Sequence, residues 1–183
     1  MEKNTVKKLN AGQNLFEFLE SFAIAVVVVV LIFTLLFRIF IVSGPSMLST
    51  LESGDRIVVS NLFFTPKTGD IIVFSGQYND GEVLVKRVIA TPGQTVDISR
   101  DGQVILDGEV LQEPYLDEGT RTELRDTKLP YTVKKGELFV MGDNREVSLD
   151  SRSTRIGTAD IRKVLGKALF RIFPNTGAIG DGK

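Results

Sequence analysis

Few residue types are available for catalysis, because the 183-residue chain contains no histidine and no cysteine. Their absence excludes thiol nucleophiles, Ser-His-Asp triads, disulfide scaffolds and the common zinc sites. Two kinds of hydrolytic chemistry remain. Paired carboxylates can act as acid and base, or a hydroxyl nucleophile can be activated by a lysine that has lost its proton. The second kind requires a serine and a lysine in an apolar environment, and the sequence contains candidates for both.

One such pair is Ser46 in SGPSMLST and Lys86 in VLVKRVIA. Gly44 and Pro45 permit a tight backbone turn beside the Ser46 hydroxyl. Lys86 lies inside an apolar run with the composition of a β-strand, where burial would lower its pKa from about 10.4 toward neutrality. Each residue also has an ordinary interpretation, because serines beside Gly-Pro are commonly turn residues and most lysines on strands face solvent.

A third segment, GDNREVSLDSR at residues 142–152, is rich in Asp, Asn, Arg and Ser. It follows the apolar run ELFVM, and its commoner interpretation is a charged turn stabilised by Asx hydrogen bonds and a surface ion pair. None of the three segments predicts an enzyme by itself. Whether the three segments form one site depends on the helices and strands that bring them together.

The N-terminal part of the chain contains an apolar stretch, residues 22–37, that has no charge and continues past Arg38 to Val42. As a helix it covers roughly 30 Å, the thickness of the hydrocarbon core of a bilayer. We interpret residues 21–42 as a transmembrane anchor, with a short cytoplasmic N-terminus at 1–20 and an extracytoplasmic domain at 43–183. A buried core helix would keep a polar stripe, and a cleaved signal peptide would have a shorter apolar region followed by a small-residue cleavage site.

The charges around this stretch predict its orientation. Lys3, Lys7 and Lys8 precede the span, which favours a cytoplasmic N-terminus and a single pass through the cell (plasma) membrane. The 22 basic and 23 acidic residues of the chain nearly cancel, without the basic excess typical of a nucleic-acid-binding protein. The expected partner is therefore the lipid bilayer, and nucleic acid is not expected.

After residue 42 the sequence changes to short β-type runs separated by turn signals. Asp101-Gly102 and Asp107-Gly108 are strong hairpin signals, and no long amphipathic helical window follows the span. We expect a mainly β domain with a polar surface loop from Pro114 to Lys128. The expected strands are RIVVSNLFF, IIVF, VLVKRVIA, TVDI, QVIL and EVL.

In this order, the anchor, SGPSM, GDIIVF, VKRVIATPG and GDNREVSLDSR closely resemble the type I signal peptidases, membrane-anchored serine proteases that remove signal peptides from exported proteins. The resemblance implies a fold of twisted antiparallel β-sheets. It also implies that Ser46 is the nucleophile, that Lys86 is the general base of an acyl-enzyme mechanism, and that Ser148 helps to orient the lysine amine. Residues with an implied supporting role, through an ion pair and hydrogen bonds, are Asp143, Asp150 and Arg152.

The same resemblance implies that the partner is the signal peptide of an exported preprotein, and it implies no metal or organic cofactor. An extended substrate would add as a strand, with pockets for Ala-like side chains at the first and third positions before the cut. Some members of the family have a serine oxyanion donor where this chain has Gly44, so the Ser46 amide is the one donor that the sequence indicates. The candidate groove residues are Val42, Gly44, Met47, Leu51, Leu84 and Val85.

Two alternatives belong to other classes. A self-cleaving repressor-type Ser/Lys protease shares the dyad but needs a DNA-binding helix pair where this chain has an apolar span. A non-catalytic anchored β module would contain Ser46 and Lys86 by coincidence. Acylation of Ser46 by a serine-reactive inhibitor, lost in a Lys86→Ala variant, distinguishes an active enzyme from such a module.

Overall fold

The computed structural model describes residues 11–76 and 81–179, which divide into two units at the boundary between Leu36 and Phe37. The first unit contains one helix, α1 (Ala11–Leu36). Its residues from Asn14 to Leu36 are long and apolar enough to cross a membrane, and the most apolar part of this stretch is not buried in the protein. The predicted N-terminal apolar helix is therefore present. The lysines used to predict its orientation, Lys3, Lys7 and Lys8, lie outside the described residues.

The helix differs at both ends from the predicted anchor of residues 21–42. It begins earlier, at Ala11, and it ends at Leu36 because the chain then forms strand β1 (Phe37–Ile41). β1 pairs antiparallel with β2 (Arg56–Ser60), from Phe37 opposite Ser60 to Ile41 opposite Arg56. The β-branched and aromatic residues of β1 favour this strand. Residues 37–42 therefore belong to the β domain.

The second unit is built on a large antiparallel sheet. Beyond β1 and β2, its strands are β3 (Ile71–Ser75), β4 (Val83–Ala90), β9 (Glu137–Met141), β10 (Ala159–Asp160), β11 (Val164–Phe173) and β12 (Gly177–Ala178). The order is β1-β2-β11-β3-β4-β9-β10, and β12 also pairs with β11. β3, β4 and β9 lie inside the sheet and are largely buried, as expected for runs of apolar residues without polar alternation.

A smaller antiparallel sheet contains β5 (Thr95–Ile98), β6 (Val104–Leu106), β7 (Glu109–Val110) and β8 (Tyr131–Thr132), in the order β7-β6-β5-β8. Asp107 and Gly108 join β6 to β7 with φ angles of 53° and 89°. Positive φ at both positions is the geometry of a two-residue hairpin turn, which is why an Asp-Gly pair occurs there. The predicted mainly antiparallel β fold after one apolar helix is confirmed.

Three clusters of buried side chains form the core. The first contains Met47, Leu51 and residues of β2 and β3, and the second joins β3, β4 and β9. The third connects β4 and β9 to the smaller sheet. Strand β4 therefore lies where the second and third clusters meet, which fixes its backbone firmly.

Candidate active site

Ser46 lies in a tight turn that follows β1. Gly44 has φ +85°, a conformation that glycine adopts without strain, and Leu48 N donates to Pro45 O at 3.2 Å. Met47 and Leu51 are 1% and 0% exposed, and they pack the turn into the first core cluster. The Ser46 hydroxyl is thus presented by a short segment anchored on its C-terminal side.

Lys86 projects from β4 toward this turn. Its side chain is buried, and Nζ lies 2.7 Å from Ser46 Oγ. The two residues that the sequence singled out for chemistry are therefore within hydrogen-bond distance, although 40 positions separate them in the chain. β4 spans Val83–Ala90, the whole of the predicted strand VLVKRVIA.

Burial lowers the pKa of Lys86 to about 8, because desolvation disfavours the charged ammonium. The carboxylates of Asp150, Asp143 and Glu82 oppose this shift, and the Arg152 guanidinium supports it. Desolvation is the largest of these effects. The Lys86 amine can consequently lose its proton near neutral pH.

Asp143 forms a buried ion pair with Arg87, the residue that follows Lys86. Arg87 donates from Nε to Oδ1 at 2.9 Å and from Nη2 to Oδ2 at 2.7 Å, and both side chains are almost fully buried. Thr50 Oγ1 donates to the same carboxylate at 2.5 Å, which connects it to the Ser46 turn. This two-point contact holds the 142–152 segment beside β4.

Asp150 and Arg152 form a second buried ion pair, with Arg152 Nε and Nη2 each 2.9 Å from an Asp150 oxygen. Burial would raise the pKa of Asp150, but hydrogen bonds and charge from Arg152, with a further hydrogen bond from Ser148, hold it below the usual value. Asp150 therefore remains an anion. Supporting roles for Asp143, Asp150 and Arg152 would act through these contacts, and the roles themselves stay predictions.

Ser148 is fully buried, and its hydroxyl accepts a hydrogen bond from Gly142 N at 3.1 Å and donates to Asp150. Among the described residues, no hydrogen bond joins Ser148 to Lys86, and the implied role of Ser148 in orienting the amine stays a prediction. A Cβ at Gly142 would overlap Ser148 Oγ and the Ser46 carbonyl oxygen. Only glycine allows these two segments to approach so closely.

The loop from Pro114 to Lys128 contributes to the site in a way that the sequence analysis missed. Arg145 is fully buried and forms an ion pair with Glu113, and it also donates to Thr122 Oγ1 at 2.5 Å. Arg145 Nε donates to Gly142 O at 3.1 Å, and the Tyr115 ring lies 3.6 Å from the Arg87 guanidinium carbon. The loop therefore packs against two of the ion-paired arginines of the site, Arg87 and Arg145.

The signal for Arg145 was its place within the motif GDNREVSLDSR, and the signal for Arg87 was its position next to Lys86. No local pattern in the sequence marks Glu113 or Tyr115 as their partners. These contacts join residues 28 to 32 positions apart in the chain, and Glu113, Tyr115 and Arg145 lie in segments without regular secondary structure.

The candidate groove residues divide into two sets. Leu84 and Val85 on β4 are half-buried and next to Lys86, and Gly44 is half-buried beside Ser46. Val42, Met47 and Leu51 are only 4%, 1% and 0% exposed and belong to the first core cluster. In this structure these three side chains lie in the core beneath the turn, and their part in the substrate groove stays a prediction.

The fold and site together define a class of protein: an antiparallel β domain in which a buried lysine contacts a serine hydroxyl is the arrangement of a Ser/Lys serine protease. The family "Signal peptidase, peptidase S26" matches residues 15–173. The chain belongs to this family of serine endopeptidases, which remove signal peptides from preproteins. The family, enzyme class and function predicted from the sequence are confirmed.

Relatives match over most of the chain. It is 41% identical to "Probable signal peptidase I-1" of Synechocystis sp. over 166 residues, which cover 82% of this chain and 81% of that protein. It is 38% identical to "Signal peptidase I" of Bacillus licheniformis over 182 residues, which cover 94% of each. A crystal structure of a signal peptidase I from Enterococcus faecalis V583 is similar, with 32% identity and a TM-score of 0.48, covering 57% of this chain and 97% of that chain.

Proposed function

We propose that the chain cleaves signal peptides from exported preproteins with Ser46 as nucleophile and Lys86 as general base. The observation that carries this proposal is the 2.7 Å contact between Lys86 Nζ and Ser46 Oγ. With the pKa of Lys86 lowered to about 8, about one molecule in ten has a neutral amine at pH 7. An unperturbed lysine would be neutral in about one molecule in a few thousand.

In the first step, the neutral Lys86 amine takes the proton from Ser46 Oγ as this oxygen attacks the scissile carbonyl carbon. The tetrahedral intermediate collapses when the C–N bond breaks, and Lys86 gives its proton to the departing amine of the mature protein. The signal peptide is left as an ester on Ser46. In the second step, Lys86 takes a proton from water, the resulting hydroxide attacks the ester, and Ser46 recovers its hydroxyl proton as the signal peptide leaves.

The Ser46 amide is a suitable donor to the oxyanion. In the described part of the chain this N–H donates no hydrogen bond, and it belongs to the nucleophile itself. The nearby Gly44 N–H donates to Ser53 Oγ at a long 3.4 Å. A free, rigidly held N–H beside the attacking oxygen stabilises negative charge as it develops in the transition state.

The substrate segment before the cut has an edge of β4 to pair with. β4 pairs with β3 from Val83 to Arg87 on one side, whereas on the other side β9 begins only opposite Arg87. Residues 83–86 therefore have an edge that no described strand occupies. We assign this edge, with Leu84, Val85 and Gly44, to the extended end of the signal peptide, which adds as a strand and brings its scissile bond to Ser46.

We further propose that α1 is a single-pass anchor of the cell membrane, with a cytoplasmic N-terminus and an extracytoplasmic β domain. Its length and composition, and the three lysines before it, support this topology. A reporter fused after Lys183 is then active only outside the cytoplasm, and protease added to right-side-out vesicles digests the β domain. Protection of the β domain in such vesicles would contradict this orientation.

The catalytic assignment is tested with full-length protein in detergent micelles and a purified preprotein. Ser46→Ala, Lys86→Ala and Lys86→Arg should each lose cleavage by at least about 1,000-fold while keeping the β signal in circular dichroism, because neither alanine nor a guanidinium can replace the reacting group. Lys163→Ala, at an exposed lysine, is the matched control and keeps activity. Substantial turnover by Ser46→Ala or Lys86→Ala would contradict the proposal.

A further inference from the structure

A cavity of about 410 Å³ lies next to the Ser46 turn and is not used by the mechanism above. Its walls come from three segments: Leu48 and Ser49 of the turn, residues 117–123 of the long loop, and residues 143–146 after β9. Asn144 N donates to Ser46 O at 3.1 Å, so one wall is joined directly to the nucleophile. The cavity therefore lies beside the turn that carries Ser46, although neither Ser46 nor Lys86 lines it.

The pairing of β4 determines where a bound substrate must leave the sheet. A substrate strand can pair with β4 only as far as Lys86, because from Arg87 onward that edge is occupied by β9, with Arg87 opposite Met141. The scissile bond lies beside Ser46 and Lys86, at the end of the free edge. The residues after the cut consequently leave the sheet, over the segment that follows Met141 and the turn that follows Ser46, and these segments form two walls of the cavity.

The chemistry of the two surfaces matches the two sides of the cut. The edge assigned to the signal peptide has apolar Leu84 and Val85 beside it, which suits the apolar end of a signal peptide. The cavity walls carry hydroxyl, amide and charged side chains, among them Ser49, Asn144 and Arg121. A mature secreted protein begins with water-compatible residues, and such residues fit a polar cavity.

We infer that this cavity binds the first residues of the mature protein, those that follow the cut, and that it contributes to substrate selection. This inference rests on the proposed function and concerns the same active site. The buried Asp143 and Arg145 in the wall are committed to ion pairs with Arg87 and Glu113. They shape the cavity and do not choose the substrate.

The exposed charged side chains of the cavity wall determine which residues are preferred after the cut. Glu123 and Glu146 are exposed, and their carboxylates form no ion pair within the described residues. Arg121 is exposed as well and donates to Arg100 O. The excess of free carboxylates favours lysine or arginine over glutamate in the first residues after the cut, through attraction in one case and repulsion in the other.

The test compares two peptides that share one signal-peptide end and differ only after the cut, with Lys or Glu at the second and third positions. The full-length enzyme in detergent micelles should cleave the Lys peptide with a kcat/KM about 3- to 10-fold higher, and added salt should reduce this ratio. The double variant Glu123→Lys/Glu146→Lys should abolish or invert the preference. Glu109→Lys, the same charge change at an exposed residue of the smaller sheet, is the control and should leave the preference in place.

The possible outcomes distinguish failure of the cavity assignment from failure of the proposed function. Efficient cleavage of both peptides at equal rates, or a preference that the double variant and Glu109→Lys change alike, would overturn the cavity assignment and leave the Ser46/Lys86 mechanism intact. Failure of the wild-type enzyme to cleave either peptide, together with failure to cleave a preprotein, would overturn the proposed function and this inference with it.

Discussion

Two halves of the active site bury positive charge in opposite ways. In the supporting half, Arg87, Arg145 and Arg152 are almost fully buried, and each contacts a carboxylate. In the reactive half, Lys86 is equally buried but contacts a serine hydroxyl. A guanidinium keeps its charge and requires a counterion, whereas an amine without a contacting carboxylate can give up its proton. Strand β4 thus presents a permanent cation at Arg87 and, at the preceding residue, an amine that can lose its proton near neutral pH.

The largest effect is expected when a supporting pair is broken. Arg152→Met leaves the Asp150 carboxylate buried and unpaired, and this should lower the free energy of unfolding by about 3–5 kcal/mol. Urea denaturation of the full-length protein in micelles measures the loss. Arg162→Met removes an arginine whose side chain is 87% exposed, and it serves as the control with little expected change.

In the reactive half, replacing the buried cation is expected to stabilise the protein. Lys86→Met replaces a buried amine with an apolar side chain of similar length, and should raise the free energy of unfolding by about 2–3 kcal/mol at pH 7 while abolishing cleavage. The unfolded chain binds this proton up to about pH 10.5 and the folded chain only up to about pH 8. The wild type therefore loses stability as the pH falls from 10.5 to 8, and the advantage of the variant should disappear above pH 10.5. A destabilised variant at pH 7 would show that the lysine is not a buried, unpaired charge.

A smaller effect is expected from the loop that holds Arg145. Glu113→Gln keeps the size of the side chain but removes the charge that pairs with Arg145, and should cost about 1–3 kcal/mol of stability. The kcat for preprotein cleavage should fall several-fold, because Arg145 also holds the Gly142 carbonyl behind Ser46. Glu118→Gln, at an exposed residue of the loop that follows Glu113, is the matched control. Equal behaviour of the two variants would show that the loop does not support the site.

The smallest effect is expected at Ser148. Ser148→Ala removes one acceptor for the Gly142 amide but leaves the Asp150 oxygen that the same amide reaches at 3.1 Å. Stability should fall by about 1 kcal/mol and kcat/KM by about tenfold, with the apparent pKa of the rate profile unchanged. Ser99→Ala, in the connection between β5 and β6, also removes a hydroxyl that accepts from a backbone amide, Gln103 N, and is the control. A loss as large as that of Lys86→Ala would show that Ser148 acts directly on the amine.

The strands of the large sheet were predicted only in part from the sequence. VLVKRVIA predicted β4 to its ends, because a short run rich in Val and Ile and bounded by turn residues favours a strand. Strand β11 was not predicted, although it lies between β2 and β3. Gly166, together with register shifts in its pairing to both neighbours, interrupts the alternation that identifies a strand.

The site residues, like the strands, were predicted only in part from the sequence. Ser46 and Lys86 became candidates through the chemistry left after histidine and cysteine are excluded, and the resemblance to the type I signal peptidases implied their roles. The burial of Met47 and Leu51 and the pairing of Glu113 with Arg145 depend on how distant segments pack. The predicted span extends to Val42 whereas the helix ends at Leu36, because β1 is also apolar apart from Arg38, and only its pairing with β2 shows that it is a strand.

The central claim is that Lys86 acts as a base because its burial without a contacting carboxylate lowers its pKa to about 8. The most direct measurement is the pH dependence of kcat/KM for a peptide substrate, with full-length enzyme in detergent micelles between pH 6 and about 11. The account predicts a rising limb with an apparent pKa near 8. A rising limb near 10.5, the ordinary lysine value, would mean that the amine is solvated in the working enzyme and would contradict the account.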